Sequence, residues 1–215
     1  MTKNEVLQLI EKEKFVVIAR RVPLEKLKNV AKAIYDGGAK LLEITFDQTK
    51  NDPIGEFNKA VEQVKDTRLC IGAGTVLTAK QLKAAHKAGA KFYVAPNANT
   101  KIIKLAKKLK MVAIPGAMTP SEIINAYETG ADIVKLFPAD DMGFHYMWNL
   151  SGPLNHIPLM ISGGVNVSTI PEYLKHGAFA LSTGVTVIDR AMLEKDDYDG
   201  IKALTTAHID AIKNA

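Results

Sequence analysis

Four times along the chain an amphipathic segment ends in glycine-alanine and passes straight into an apolar run: Gly38-Ala39 before LLEITF, Gly89-Ala90 before FYVAP, Gly130-Ala131 before IVKLFP and Gly177-Ala178 before ALSTG. Glycine accepts the left-handed conformation that closes a helix, so each pair marks a helix feeding a strand. The four glycines stand 51, 41 and 47 residues apart. One strand, one helix and two loops need only about half of that, so each gap should hold another strand. RLCIGAG (68–74), MVAIPG (111–116) and PLMISGG (158–164) fill the gaps, and FVVIAR (15–20) adds one at the front.

The result is eight strands alternating with helices. The runs are apolar throughout and rich in Ile, Val and Leu, as parallel strands covered on both faces are. No Gly-rich dinucleotide loop follows any of them, which favours a closed (β/α)8 barrel of the TIM type over an open doubly wound α/β sheet. A length of 215 residues suits one such domain spanning 1–215. The amphipathic amino-terminal segment is expected to form a helix that caps the barrel floor, and Thr78, Thr119 and Ser168 stand where helix N-caps are expected.

Composition narrows the class of function. Hydrophobic residues at 47% and charged residues at 24% set aside disordered and fibrous chains. MTKNEVLQLIEKEK lacks the apolar core of a signal peptide, and no window approaches the ~18 apolar residues of a membrane helix. The lone cysteine, Cys70, sits in an apolar run and reads as a core residue of a cytoplasmic protein. A net charge of +5 raises the question of nucleic acid, but the lysines are dispersed. The densest group, Lys101, Lys104, Lys107, Lys108 and Lys110, falls at helical spacing and reads as a solvated face. Neither nucleic acid nor membrane is an expected partner.

In a closed barrel, chemistry resides where strands end and the following loops begin. Lys135 interrupts IVKLFP and Glu43 interrupts LLEITF, which places two charges inside apolar strands. Burial lowers a lysine pKa, and a lysine that is neutral part of the time attacks a ketone to form an imine. The alternative is a structural ion pair across the barrel. Glycines at several strand ends, among them Gly72, Gly74, Gly116, Gly163, Gly164 and Gly184, favour the first reading by letting backbone N–H groups approach an anion. The five histidines, His86, His145, His156, His176 and His208, have no metal-ligand spacing.

LEITF (42–46), IGAGTV (71–76), IPGAMTPSE (114–122), VKLFPAD (134–140) and SGGVN (162–166) occur in an order and spacing that resembles the 2-keto-3-deoxy-6-phosphogluconate aldolases and their 4-hydroxy-2-oxoglutarate and phosphogalactonate-type relatives. The resemblance runs from about Phe15 to the carboxyl end. It implies that Lys135 is the Schiff-base lysine and Glu43 the carboxylate that moves protons. Thr75 and Arg20 correspond to residues at the pyruvyl carboxylate, Phe137 to an aromatic wall beside the lysine, and Gly163 and Gly164 to the loop that receives the phosphate. Gly184 falls at the corresponding turn after the last strand. The same resemblance implies a small-molecule keto acid substrate, a homotrimer, and an imine reaction that uses no cofactor or metal.

Three positions depart from the family pattern. Val185 stands where many relatives carry a phosphate-binding serine, and Ser182, Thr183 or Thr186 compensates only if the loop turns one inward. Asp47 replaces a carboxylate-binding arginine of some members, and an acid there should repel an anionic substrate. Gly143-Phe144 replaces glycine-proline and begins an aromatic run with Tyr146 and Trp148 that either lines the pocket or packs against a neighbouring subunit, with core or interface packing expected of Trp148. Three functions stay open at this point: an aldolase for a 2-keto-3-deoxy-6-phospho sugar acid, an aldolase with another acceptor such as glyoxylate, and a non-aldolase phosphate-binding barrel.

Overall fold

The computed structural model describes residues 1–215. After α1 (Lys3–Glu13) the chain alternates strand and helix: β1 (Phe15–Ala19), α2 (Leu24–Asp36), β2 (Leu41–Thr45), α3 (Pro53–Val64), β3 (Cys70–Gly74), α4 (Ala79–Lys87), β4 (Phe92–Val94) and α5 (Thr100–Lys108). There follow β5 (Val112–Ile114), β6 (Gly116–Ala117), α6 (Pro120–Thr129), β7 (Val134–Leu136), α7 (Gly143–Ser151), β8 (Leu159–Ser162), α8 (Ile170–Lys175) and β9 (Ala180–Thr183), and then α9 (Arg190–Glu194) and α10 (Tyr198–Lys213). The strands pair in the order β5-β4-β3-β2-β1-β9-β8-β7-β6, all in parallel.

Nine strand segments make an eight-stave barrel because β5 and β6 are one run, expected as a single strand over 111–116, that proline divides. Pro115 has no N–H to offer the ladder, but its carbonyl accepts from Lys135 N at 2.8 Å. The run pairs with β4 through Val112–Ile114 and with β7 through Gly116 and Ala117, which closes the cylinder. The four helix-ending glycines have the expected left-handed backbone, with φ of +104° at Gly38, +100° at Gly89, +112° at Gly130 and +87° at Gly177. Thr78 and Thr119 form capping boxes with Gln81 and Glu122. Ser168 does not cap: α8 begins one residue later, after Thr169, and the Ser168 N–H and hydroxyl donate to Asn166 Oδ1 within the preceding loop.

Apolar packing falls into two compartments. The larger lies between the barrel and its helices, and the smaller fills the lumen with Val16, Leu41, Phe92, Met160 and Ala180. Val6 and Ile10 of α1 belong to the lumen compartment, so the amino-terminal helix does plug the floor. Cys70 is buried there, and burial pushes its thiol up to about 11. Lysines 101, 104, 107 and 108 lie on the exposed face of α5, opposite buried Ile102, Ile103 and Ala106. No helix is long and apolar enough to cross a membrane.

Candidate active site

Strand alternation makes one end of the lumen polar. Val16, Leu41, Ile133, Met160 and Ala180 face inward near the floor. Side chains two residues further along a strand point the same way. That step brings Ile18, Glu43, Lys135, Ser162 and Ser182 into the lumen, and one more brings Arg20, Phe137, Gly164 and Gly184 to its carboxyl mouth. A cleft of about 580 Å³ opens at this mouth. Lys135, Arg20, Thr75, Phe137, Gly163, Gly164 and Gly184 all line it. Glu43 does not; it is sealed within the barrel wall at 1% exposure.

Lys135 is 5% exposed, with its ammonium nitrogen 4.8 Å from the centroid of the Phe137 ring. Burial holds its pKa below the usual lysine range; the Glu43 charge works against this and Arg20 adds to it. Burial likewise raises Glu43 above the usual carboxylate range, with Lys135 and Arg20 pulling the other way. No ion pair of 4.0 Å or less joins the two. Glu43 Oε2 is buried with no hydrogen-bond partner at all. Lys135 and Glu43 share the lumen without a salt bridge, so the closed ion pair that the sequence left open is not what this barrel contains.

The Arg20 end of the cleft is built around Thr75. This β-branched residue has φ of +57°, a left-handed backbone that costs an L side chain roughly 1–2 kcal/mol. Arg20 Nη2 donates to its hydroxyl at 3.3 Å. At the opposite end, Gly163 and Gly164 turn with φ of +102° and +68° over the side chain of Asp140. The other glycines have a different reason from the one expected. A Cβ on Gly74 would overlap Glu43, on Gly72 the Phe92 ring, on Gly116 the backbone of Pro96, and on Gly184 the carbonyl of Ile18. They make room for protein atoms, and only the Gly163-Gly164 turn is shaped by backbone direction.

Lys135, Arg20, Thr75 and Phe137 thus line one mouth, with Glu43 buried beneath it. The model of the KDPG and KHG aldolase family matches residues 6–204. The chain belongs to that family. It is 31% identical to the 2-dehydro-3-deoxy-phosphogluconate aldolase of Haemophilus influenzae over 99% of each chain. It is 28% identical to the KHG/KDPG aldolase of Escherichia coli, covering 92% of this chain and 91% of that one. The fold matches the KDPG aldolase of Legionella pneumophila, solved with pyruvate captured as a covalent carbinolamine, with a TM-score of 0.82 at 24% identity over 94% and 96% of the two chains.

Within this aldolase fold the three departures resolve differently. Asp47 does not face the cleft: its carboxylate accepts from the Thr49 N–H at 3.0 Å and hydroxyl at 2.7 Å and lies 3.6 Å from Arg21 Nε. Asp47 lines instead a small neighbouring pocket that shares Arg20 and Thr75 with the cleft. Val185 is 81% exposed on the cleft rim and offers nothing polar from its side chain. Of the three possible substitutes only Ser182 turns into the lumen free of strong partners, its hydroxyl 3.4 Å from Ile161 O. Thr183 and Thr186 bond each other at 2.9 Å, and Thr186 also meets Val165 O at 3.0 Å and His208 Nε2 at 3.1 Å. Phe144 packs edge-on to Tyr173 and Tyr146 donates to Met118 O, whereas Trp148 is 57% exposed and so is no core residue.

Ser162 and Asp140, both lining the cleft, were not singled out from sequence. Ser162 is 3% exposed and pairs in register with Ser182, and its place two residues beyond the lumen residue Met160 is the signal that would have found it.

Proposed function

We propose that the chain is a class I aldolase in which Lys135 forms the Schiff base, cleaving 2-keto-3-deoxy-6-phosphogluconate-type acids to pyruvate and glyceraldehyde 3-phosphate. The observation that carries this reading is the buried, unpaired couple of Lys135 and Glu43 beneath a cleft with a cation at one end. The neutral amine of Lys135 attacks the C2 ketone, and loss of water leaves a protonated imine. That imine draws electrons from C3 as the C3–C4 bond breaks, and Glu43 takes the proton of the C4 hydroxyl. The enamine is then protonated at C3 and water releases pyruvate. Arg20 and the Thr75 hydroxyl hold the carboxylate, Phe137 walls the amine, and Gly163, Gly164 and Gly184 line the distal end.

A second acceptor is favoured by a specific observation. Beyond Lys135, the cleft lining between Asp140 and Ile188 contains no lysine or arginine, one acid and the apolar Val185 side chain. That end suits a short unphosphorylated aldehyde such as glyoxylate, released from 4-hydroxy-2-oxoglutarate. Exposed Trp148 is the natural candidate for an interface in a homotrimer, and a cytoplasmic site of action belongs to the same proposal.

Borohydride reduction in the presence of pyruvate tests the chemistry. A stable mass increase of one reduced pyruvyl group on Lys135, absent from Lys135→Ala along with all cleavage activity, is the expected result. No adduct at saturating pyruvate would point to a non-aldolase barrel. Cleavage assays with the phosphorylated sugar acid and with 4-hydroxy-2-oxoglutarate then separate the two acceptors.

A further inference from the structure

Thr75 is held in its left-handed conformation by more than Arg20. Gln48 Nε2 donates to Thr75 O at 3.0 Å from the loop after β2, and Gln81 Nε2 of α4 donates to Gln48 Oε1 at 2.9 Å. Gln81 is 5% exposed, and its own Oε1 is fixed by the N–H groups of Leu77 at 2.9 Å and Thr78 at 3.1 Å. A relay of two amides thus runs from the first turn of α4 to the carbonyl of the residue that presents its hydroxyl to Arg20. The direction of each bond is consistent: every Nε2 donates and every Oε1 accepts. Gln48 adjoins Asp47, whose carboxylate accepts from Thr49 and lies near Arg21; neither residue lines the cleft itself, and Gln48 reaches it through the Thr75 carbonyl.

We propose that Gln48 is a positioning residue for the carboxylate of the keto acid, acting through Thr75. It touches no substrate atom. By pinning the Thr75 carbonyl it keeps a disfavoured backbone conformation populated, and with it the orientation in which the Thr75 hydroxyl and the Arg20 guanidinium converge. Without that bond Thr75 relaxes toward ordinary φ, its hydroxyl leaves Arg20, and the keto acid binds an unformed subsite. This inference rests on the Lys135 Schiff-base reading.

The test uses the full chain with Gln48→Ala and Gln48→Met, the latter keeping side-chain length while removing the donor. Borohydride trapping is measured as a function of pyruvate concentration beside the kinetics of aldol addition and the melting temperature. The half-saturating pyruvate concentration rises about ten-fold in both variants, the effect of one hydrogen bond. The rate at saturating pyruvate and the KM for the aldehyde stay near wild type, while losing the partner of Gln81 Nε2 lowers the melting temperature of both variants by roughly 2–12 °C. A Gln48→Met protein with wild-type pyruvate affinity would overturn the proposal, as would a fall in saturated rate at unchanged affinity. Wild-type protein that traps no pyruvate would instead overturn the Schiff-base reading itself.

Discussion

Gly74→Ala tests whether the position of the Glu43 carboxylate matters, without altering either charged residue. The added Cβ would sit inside van der Waals contact of Glu43 Oε1 and 2.7 Å from both its Cγ and Cδ. Carbon atoms prefer about 3.5–4.0 Å, so the carboxylate must withdraw by about 1 Å. A displacement of that size at a reacting group costs on the order of 100-fold in rate. Overpacking of a buried site also costs about 1–3 kcal/mol, which for a chain of this size lowers Tm by roughly 2–12 °C. The assay couples released pyruvate to a dehydrogenase and compares kcat/KM with the extent of borohydride trapping. Cleavage should fall about 100-fold while Lys135 still accumulates the pyruvyl adduct, because the amine is untouched. Gly72→Ala is the matched control: its Cβ meets the Phe92 ring, so it should lose stability with a smaller loss of cleavage. A Gly74→Ala protein destabilised as expected but cleaving within a few-fold of wild type would refute the role given to Glu43.

Three further outcomes follow from the same geometry. The fold retains a proton on Glu43 at pH values where the unfolded chain has released it, because burial raises the folded pKa. Stability is therefore lost as pH rises from 4.5 through the folded value, and Glu43→Gln should gain Tm over wild type across that window; parallel Tm–pH curves would contradict it. Val185→Ser supplies a hydroxyl on the cleft rim and should lower KM about ten-fold for a phosphorylated aldehyde, with no change for glyoxylate; equal changes for both would remove the rim from phosphate recognition. Thr186→Val strands Val165 O and His208 Nε2 without their partner and should cost about 1–3 kcal/mol in denaturant unfolding. An unchanged unfolding midpoint would show that the two cleft loops do not depend on that hydroxyl.

Features of this barrel that obey a local rule could be read directly from the chain. Gly38, Gly89, Gly130 and Gly177 close helices because a left-handed cap needs no information beyond its own residue, and their spacing exposed the repeat. Lys135 and Glu43 stood out because a charge inside an apolar strand has few reasons to be there. Pro115 was visible, but its consequence was not: a missing N–H divides the strand only because two different neighbours claim the two halves.

What escaped the sequence depends on direction across long separations. Asp47 stands out by its charge, but only the fold shows that its carboxylate is engaged by Thr49 and lies near Arg21, and that the ordinary Gln48 beside it is the residue bonded to Thr75. Gln48 and Gln81 lie 33 positions apart and are individually ordinary; only the closing of β2 and β3 side by side makes them a relay. The glycines carry the same lesson at shorter range. Gly74 and Gly164 are identical letters at strand ends on opposite sides of the barrel, yet one is small because Glu43 must lie against it, and the other has a backbone that turns left-handed beside Asp140. A residue type constrains what can approach, and the fold decides whether the approaching group is substrate or protein. For that reason Lys135 and Glu43 stand out in the chain as charges inside apolar strands, while the arrangement around Thr75 and the character of the opposite end of the cleft required the barrel to be closed around them.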